Sequence, residues 1–366
     1  MLDCHTYLNM YFYTPPIMHP QLLAESIFTS ATKETKIDDK SFYKNGLKLF
    51  NHHYKFNSAY KKHCNQLNKK QKNITHWKDI PAVTTDIFKL PTIPVISFHK
   101  NQIHRTFTTS GTTHDIKGKH HFPSLEIYEH SITTCWDQLS LPKPHRAIFL
   151  IPKPQDAPQS SLSHMMGILD DAYSQESTWM INADGEMDIK KIITEINEAD
   201  QPIALLGTAL AFLYLFENLP TPLTLPPGSW AMETGGYKGT KRHLEKAELY
   251  NLFLQYLGLE SEDIINEYSM TELSSQFYTR GLDKSHQGPS WTRIRVIDPL
   301  TDEDAPDGVP GYLVIYDLAN VHSVIAIRTQ DIAIATGDNS FILLGRDPSA
   351  IPRGCSRAAD SSLRSS

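Results

Sequence analysis

Short apolar runs alternate with amphipathic stretches along the middle of the chain. Residues 145–152 and 203–207 read HRAIFLIP and IALLG, and runs this short and this apolar are typical of buried strands. Residues 241–258 carry apolar side chains at helical spacing and end in a glycine, which predicts a helix and its stop. Residues 292–318 predict two strands joined by an acidic connection rich in proline and glycine. Strands alternating with helices predict an α/β fold.

The two ends of the chain differ in amino-acid composition from this middle part. Residues 1–75 are polar, rich in Lys, Asn, His and Tyr, and are predicted to be mainly helical. The stretch that starts at Ile80 repeats proline and β-branched residues, which predicts extended segments and loops, and residues 338–346 predict a last strand. We therefore expect a helical N-terminal extension, 1–75, packed on a core domain, 76–357, and a disordered tail, 358–366.

Composition and net charge favour a soluble globular protein over the other broad classes of protein. Hydrophobic residues make up 40% of the 366 residues and charged residues 21%, as in soluble globular proteins. The formal net charge of −6 argues against a general nucleic-acid binder. The N-terminus lacks the basic and apolar regions of a secretory signal, and the apolar run Pro202–Phe216 is shorter than the roughly 20 residues that span a bilayer. Four scattered cysteines without a CxxC pair suit a reducing compartment, so we expect a cytoplasmic protein without a membrane span.

The segment with the strongest chemical signal is FTTSGTTHDIKG, residues 107–118. A run of Ser, Thr and Gly can surround a phosphate with backbone N–H groups and hydroxyls, and Lys117 adds a positive charge. The segment lacks the GxxxxGK[ST] pattern of a P-loop. On composition alone, a polar surface loop is the alternative.

This segment is similar to the phosphate loop of the adenylate-forming superfamily, which contains acyl-CoA synthetases, adenylation domains and luciferases. That loop reads [ST]SGTTGxPKG, and here His114 and Ile116 stand in place of a glycine and a proline. Three further motifs follow in the superfamily's order. They are YSMTE at 268–272, which resembles YGxTE; RTQD at 328–331, which resembles RTGD; and GRD at 345–347, which matches the first three positions of GRxDD.

Within the superfamily the chain most resembles the LuxE-type acyl-protein synthetases, over about residues 40–357. The features are IPAVTTDIFK before the phosphate loop, GGYKG at 235–239 and RGCS at 353–356. The resemblance implies the large domain of the superfamily, with mixed sheets flanked by helices, as an adenylate-forming catalytic domain at 76–357. Since 20 residues follow Arg346, we expect the superfamily's C-terminal lid domain and its catalytic lysine to be absent.

The resemblance also implies roles for individual residues, and each role has a physical rationale. Adenylyl transfer places charge on phosphate oxygens, so positioned donors and cations stabilise it. The residues predicted to bind ATP are Ser110, Gly111, Thr112, Thr113, Lys117, Gly235, Gly236, Asp331 and Arg346. Asp331 should accept the ribose hydroxyls, Glu272 should bind Mg²⁺ through its carboxylate, and Thr271 should touch the α-phosphate. The alternatives are a helix cap at Thr271-Glu272, a simple turn at Asp331, and a shift of the latter motif to 336–338.

Two residues are predicted to complete the catalytic set. With the lid lysine missing, Lys238 in GGYKG is the candidate cation, and a solvated turn lysine is the alternative. Cys355 lies between two arginines in PRGCSR, which favours the nucleophilic thiolate, and it matches the acyl-accepting cysteine of LuxE-type enzymes. A structural cysteine is the alternative for Cys355. A structural role is what we predict for the other three, Cys4, Cys64 and Cys135.

The sequence thus predicts an enzyme that uses ATP and Mg²⁺ to convert a carboxylic acid, of the fatty-acid class, into an acyl-adenylate and pyrophosphate. Cys355 or an external thiol then takes the acyl group, with an acyl reductase or acyl-carrier protein as partner. His164 could line the substrate cleft or be a core histidine, and residues 205–216 could line an acyl tunnel or be core. An acyl- or aryl-CoA ligase, or a carrier-protein loader, is the second reading. A nucleotide-binding scaffold without activity is the third, because His114 and Gln330 replace glycines.

Overall fold

The computed structural model of the chain describes Ser26 and residues 37–109, 116–235, 244–337 and 339–347. Its strands are β1 Val83–Thr84, β2 Arg105–Thr108, β3 Lys119–Phe122, β4 Arg146–Pro152, β5 Glu176–Ile181, β6 Ile203–Thr208, β7 Trp230–Thr234, β8 Ile264–Tyr268, β9 Phe277–Arg280, β10 His286–Gln287, β11 Thr292–Ile297, β12 Gly311–Asp317, β13 Ala326–Gly337 and β14 Ser340–Arg346. Its α-helices are α1 Asp39–Phe56, α2 Ser58–Gln66, α3 Glu126–Gln138, α4 Ser161–Tyr173, α5 Ile189–Asn197, α6 Ala209–Asn218 and α7 Lys246–Leu257.

Twelve of these strands form one mixed sheet in the order β11-β12-β13-β14-β10-β9-β8-β7-β6-β4-β5, with β1 beside β13. The strands from β5 to β8 in this order are parallel, and the pairs from β8 to β11 are antiparallel. β2 and β3 form a separate antiparallel hairpin. The chain passes from β4 to β5 and then to β6 on the other side of β4. Open α/β sheets bind ligands outside the carboxyl ends of strands near such a reversal.

Helices cover both faces of the parallel part of the sheet. The side chains of α5, α6 and α7 form one apolar cluster with one face, and those of α3 and α4 belong to a second cluster with the other. Every residue of β6, and all but the first of β4, is buried, as expected of strands covered on both sides. The predicted strands at 145–152 and 203–207 are therefore observed.

The helix predicted at 241–258 begins later than expected. It starts at Lys246, because the backbone N–H of Glu245 donates to Glu248 Oε2 at 3.0 Å, which caps the first turn. Residues 241–243 lie outside the described residues. At the other end Gly258 adopts a φ of 65° and donates to the Leu254 carbonyl at 3.0 Å, so the predicted glycine stop is confirmed.

The N-terminal helices share the core of the sheet. Phe42 and Leu49 of α1 are fully buried in the same cluster as Ile325, and Arg293 of β11 pairs with Asp39 at 3.1 Å. The predicted boundary between extension and core domain stays a prediction. The segment after Ile80 is less extended than predicted, because β1 is followed at once by a 3-10 helix at Thr85–Lys89. The predicted tail at 358–366 lies outside the described residues.

Candidate active site

The candidate site begins at the carboxyl ends of two neighbouring parallel strands. Gly235 follows β7 directly with a φ of 79°, a conformation that favours glycine, and Tyr268 is the last residue of β8. Thr234 and Glu267 are partners in the β7–β8 register, so the glycine turn and the YSMTE segment leave the sheet side by side. Both segments lie at the edge where α/β sheets bind ligands.

The β2–β3 hairpin connects the predicted phosphate loop to the YSMTE segment. At the base of the loop, the Thr109 N–H donates to the Gly118 carbonyl at 2.9 Å, and the Gly118 N–H donates to Thr109 Oγ1 at 2.8 Å. In β3 the buried His120 donates from Nδ1 to the Thr271 carbonyl at 2.7 Å. Thr271 Oγ1 lies 3.3 Å from Ser161 Oγ at the start of α4. These contacts tie the arms of the loop to the turn that follows β8.

Hydrogen bonds join the YSMTE segment to the RTQD and GRD segments. The Tyr268 hydroxyl donates to Asp331 Oδ2 at 2.8 Å, and Asp331 pairs in register with Arg346 across β13 and β14. The Arg346 Nη2 donates to Gln330 Oε1 at 2.7 Å, and the Asp347 N–H donates to the Gln330 carbonyl at 3.0 Å. The glutamine that replaces the motif's glycine thus gives the guanidinium a partner.

Thr271 and Glu272 are almost fully buried, with 1% and 2% of their surface exposed. They form a turn in which the Leu273 N–H donates to the Met270 carbonyl at 3.0 Å, and the next element is strand β9. The alternative that these two residues cap a helix is therefore wrong. The Glu272 carbonyl accepts from Asn320 Nδ2 at 3.0 Å, which fixes the backbone of the turn.

A buried carboxyl group beside this turn was not singled out from the sequence. Glu267 accepts a short hydrogen bond from the Thr234 hydroxyl, next to the glycine turn. Burial raises the pKa of Glu267 to about 7, hydrogen bonds from Ser269 and Thr234 oppose that rise, and the nearby Glu233 adds to it. The available signal was a glutamate near the end of each of the mainly apolar strands IINEY and WAMET.

A second polar cluster lies on the α7 side of the same strand ends. The ammonium of Lys246 donates to Asn266 Oδ1 at 2.6 Å and lies 3.6 Å from Glu233 Oε1. His286 donates from Nε2 to the same Asn266 oxygen at 2.7 Å, and burial lowers the pKa of His286 to about 3, so the ring is neutral. Lys246 is a cation near the glycine turn that the sequence motifs did not indicate.

Several predicted site residues lie outside the described residues, and their roles stay predictions. They are Ser110, Gly111, Thr112, Thr113, Gly236, Lys238 and Cys355. Lys117 is described and exposed, on the arm of the loop that returns to β3. The rival position for the RTQD aspartate, Asp338, also lies outside. Among the described candidates, Thr271 accepts a hydrogen bond from His120, Asp331 accepts one from Tyr268, and Arg346 donates one to Gln330.

His164, for which a cleft role and a core role were both open, has features of each. Its Nε2 lies 2.9 Å from Glu129 Oε1, and its ring packs 5.4 Å from that of Phe107. It also lines a cleft of about 470 Å³ that Arg105 and Asp171 border.

Residues 205–216 form the end of β6 and most of α6, and their side chains are mostly buried in the core, as the core-packing alternative requires.

The two described cysteines are buried free thiols. They are Cys64 and Cys135. Burial raises the pKa of Cys64 to about 12 and raises that of Cys135 as well, so both stay protonated and unreactive. These properties fit the structural role predicted for them, and Cys4 lies outside the described residues. None of the described helices is both long and apolar enough to cross a bilayer.

Comparisons with known proteins agree with the resemblance seen in the motifs. The chain is 39% identical over 66 residues to a long-chain-fatty-acid–luciferin-component ligase of Photorhabdus luminescens. The matched residues make up 18% of this chain and 54% of the relative. The match thus spans about half the length of that curated relative. Among solved structures, an open conformation of 2-hydroxyisobutyryl-CoA ligase with 2-HIB-AMP and CoA has a TM-score of 0.62 at 12% identity, covering 86% of this chain and 76% of that one. The same ligase in its postadenylation state, with R3-HIB-AMP, has a TM-score of 0.61 at 11% identity, covering 86% and 69%.

These structural likenesses confirm the predicted α/β fold of adenylate-forming enzymes, with a large mixed sheet flanked by helices. The family model for acyl-protein synthetase, LuxE, matches residues 16–363, nearly the whole chain. The chain therefore belongs to the LuxE acyl-protein synthetase family.

Proposed function

We propose that this protein activates a carboxylic acid with ATP, forming an acyl-adenylate and pyrophosphate, and then transfers the acyl group to a thiol. The observation that carries the proposal is the pair of hydrogen bonds from His120 to Thr271 and from Tyr268 to Asp331. Through them, the base of the phosphate loop, the YSMTE turn and the RTQD strand adjoin one edge of the sheet. Membership in the LuxE family supports a fatty acid as the substrate class.

In this proposal ATP lies across the carboxyl ends of β7 and β8. The hydroxyls of Ser110, Thr112 and Thr113 and the Lys117 ammonium donate to phosphate oxygens, with Gly111 allowing close approach of the backbone. The other proposed contacts with ATP are those of Gly235 and Gly236 with the adenine, Asp331 with the ribose, Thr271 with the α-phosphate, and Arg346 with the ribose or a phosphate. Lys238 is the proposed cation for the charge that develops during transfer.

Glu272 would hold Mg²⁺ together with phosphate oxygens of ATP. Mg²⁺ commonly binds one or two carboxylates plus substrate phosphates. The described part of the chain has no cluster of three or more His, Cys, Asp or Glu side chains that could form a metal site of their own, and a single buried carboxylate fits this mode. When bound, the ion would neutralise phosphate charge.

The acyl acceptor in this proposal is the thiolate of Cys355 or of a partner protein. The thiolate attacks the acyl carbonyl of the adenylate, the bond to the phosphate oxygen breaks, and AMP leaves. An acyl reductase or an acyl-carrier protein is the proposed partner that receives the acyl group.

ATP–pyrophosphate exchange that depends on an added fatty acid tests the first step. We expect Glu272→Gln to lower the exchange rate by about a hundredfold or more, because the carboxylate that binds the metal is lost. Glu262→Gln, a matched change at an exposed glutamate, should leave the rate unchanged. Wild-type exchange that Glu272→Gln does not reduce would contradict the proposal.

Labelled acid and mass spectrometry test the second step. Self-acylation should disappear in Cys355→Ser and persist in the control Cys4→Ser. If a CoA thioester forms in both variants without self-acylation, the chain is a CoA ligase. Nucleotide binding without exchange would identify a scaffold.

A further inference from the structure

The N-terminal helices carry a concentration of positive charge that the net charge of the chain conceals. Residues 40–78 contain ten lysines and no aspartate or glutamate, although the whole chain has a formal net charge of −6. Among the described residues only one of these ten, Lys78, forms a salt bridge, with Asp304 at 2.9 Å. The other nine have no carboxylate partner within salt-bridge distance in the described part of the chain.

The lysines of α1 lie on the side of the helix that faces away from the core. They are Lys40, Lys44, Lys48 and Lys55. Spacings of four, four and seven residues return to the same helical face. The fully buried residues of this helix, such as Phe42, Leu49 and Phe50, lie at the intervening positions and pack on the sheet. The helix therefore presents one apolar face inward and one lysine-rich face outward.

The lysines that follow α1 lie on segments that contact α1. The ammonium of Lys61 lies 5.8 Å from the centre of the Tyr54 ring, and the Tyr54 hydroxyl donates to Asn65 Oδ1 at 2.7 Å, so α2 lies beside the end of α1. Nearer the start of α1, the Tyr43 hydroxyl donates to the Ile74 carbonyl at 3.0 Å. We call the combined surface the lysine face. It consists of Lys40, Lys44, Lys48, Lys55, Lys61, Lys62, Lys69, Lys70 and Lys72.

Two large apolar side chains of this lysine-rich segment are exposed. Phe56 ends α1 with 45% of its surface exposed, and Leu67 follows α2 with 52% exposed. The ammonium of Lys55 lies 5.1 Å from the centre of the Phe56 ring. Exposed apolar side chains among lysines are the combination that lets a surface helix enter the boundary between lipid headgroups and acyl chains.

We propose that the lysine face binds an anionic lipid surface, with Phe56 and Leu67 entering the headgroup region. Each lysine near an anionic bilayer adds to the attraction, and the charges act without a fixed arrangement of partners. The lack of any carboxylate from 40 to 78 removes repulsion from such a uniformly negative surface. An acidic protein or a nucleic acid would use the lysines but would leave the two exposed apolar side chains without a function. This association is peripheral, and it does not depend on the proposed chemistry.

Sedimentation with lipid vesicles tests the proposal directly. We expect the full chain to bind phosphatidylcholine vesicles that contain phosphatidylserine and not to bind pure phosphatidylcholine vesicles. High salt should remove most of this binding. The triple variant Lys44→Gln, Lys48→Gln, Lys55→Gln should bind about a hundredfold more weakly, since each lysine contributes about fivefold.

A matched control removes three exposed lysines elsewhere, Lys153, Lys190 and Lys191, by the same change to Gln. This control has the same net charge as the triple variant and should bind vesicles nearly as wild type does. Equal weakening in the two triple variants, or no binding of the wild type to anionic vesicles, would overturn the proposal. So would displacement of the wild type from vesicles by duplex DNA at equal charge concentration.

A second variant, Phe56→Ser with Leu67→Ser, separates the apolar contribution. It should reduce the binding that remains at high salt, because salt does not screen apolar insertion. Unchanged thermal unfolding midpoints and unchanged pyrophosphate exchange with a short water-soluble acid would show that the variants are folded. If the lysine variant is unfolded, unchanged vesicle binding by the Phe56, Leu67 variant still counts against lipid as the partner.

Discussion

The hydrogen bond from Tyr268 to Asp331 offers the sharpest test of how the site is assembled. Tyr268→Phe removes the hydroxyl that donates to Asp331 Oδ2 at 2.8 Å. The ring is 8% exposed and packs edge-to-face on His286 and Phe341, and phenylalanine preserves these contacts. The change therefore acts on the orientation of one carboxylate while leaving the packing intact.

A hydrogen bond to a charged group contributes about 1.5–3 kcal/mol. Asp331 is only partly buried, so water can replace part of the lost contact, and we take the lower end of that range. About 1.5 kcal/mol corresponds to roughly tenfold in an equilibrium constant. If Asp331 binds the ribose, Tyr268→Phe should raise the dissociation constant for ATP and the KM for ATP in pyrophosphate exchange by about tenfold.

The matched control is Tyr278→Phe on the adjacent strand. The Tyr278 hydroxyl is buried, and the described residues offer it no hydrogen-bond partner, so its removal should leave ATP affinity unchanged and stability equal or slightly higher. Calorimetric titration with ATP measures both variants, and the double variant Tyr268→Phe, Asp331→Asn should be no weaker than Asp331→Asn alone. If Tyr268→Phe binds ATP within twofold of wild type, Asp331 does not hold the nucleotide through this geometry.

Three further predictions follow from the described contacts. Replacing His120 by Phe keeps an aromatic ring but removes the donor to the Thr271 carbonyl, and should lower the exchange rate about tenfold with a smaller effect on the KM for ATP; an unchanged rate would refute the link between hairpin and turn. Gln330→Gly restores the glycine of the RTGD motif but removes the acceptor of one hydrogen bond from Arg346. It should lower the melting temperature by a few degrees, whereas a rise would show that this hydrogen bond adds nothing to stability. Acid should destabilise the fold, because burial lowers the pKa of four histidines to about 3 or 4; these are His53, His120, His286 and His322. In the unfolded chain these histidines take up protons below pH 6.5, whereas in the folded chain burial opposes protonation. Their contribution to the free energy of unfolding is therefore complete above that pH and is lost as pH falls toward 4. The raised pKa values of Glu267 and Asp317 act in the opposite sense. Glu233, whose pKa burial also raises, acts in the same sense as these two carboxyls. With four histidines against three carboxyls, the free energy of unfolding should fall by roughly 1–3 kcal/mol per pH unit between pH 6 and 5; a urea titration that finds it constant would contradict this.

The sequence predicted elements well where local pattern decides the outcome. The run AIFLI in β4 and the run IALLG in β6 contain no polar side chain, so only a strand covered on both faces accommodates them. The glycine at position 258 ends α7 because it adopts a positive φ at little steric cost. The start of the same helix was misplaced, since a capping glutamate at 245 offers a weaker signal than a glycine stop.

The motifs also indicated that the candidate site lies at the carboxyl ends of the strands, but they did not indicate which side chains connect the motif segments. Gly235, Thr271 and Asp331 are far apart in sequence, and only the strand order brings β7, β8 and the β13–β14 pair to one edge. The donors that link the segments, His120 and Tyr268, carry no local mark of that role.

The net charge of the chain conceals an uneven distribution of charge along the sequence. The net value of −6 is a sum over the whole chain, whereas all ten charged side chains of residues 40–78 are lysines. Helical periodicity then places the α1 lysines on one outward face. What the sequence by itself determined is therefore the set of elements, the order of the motifs and the family, because these depend on neighbouring residues. The tertiary structure alone decided which side chains meet and that Glu267 is buried at the site with a pKa of about 7. Contacts between distant residues depend on the packing of the whole sheet, and no local pattern specifies that packing.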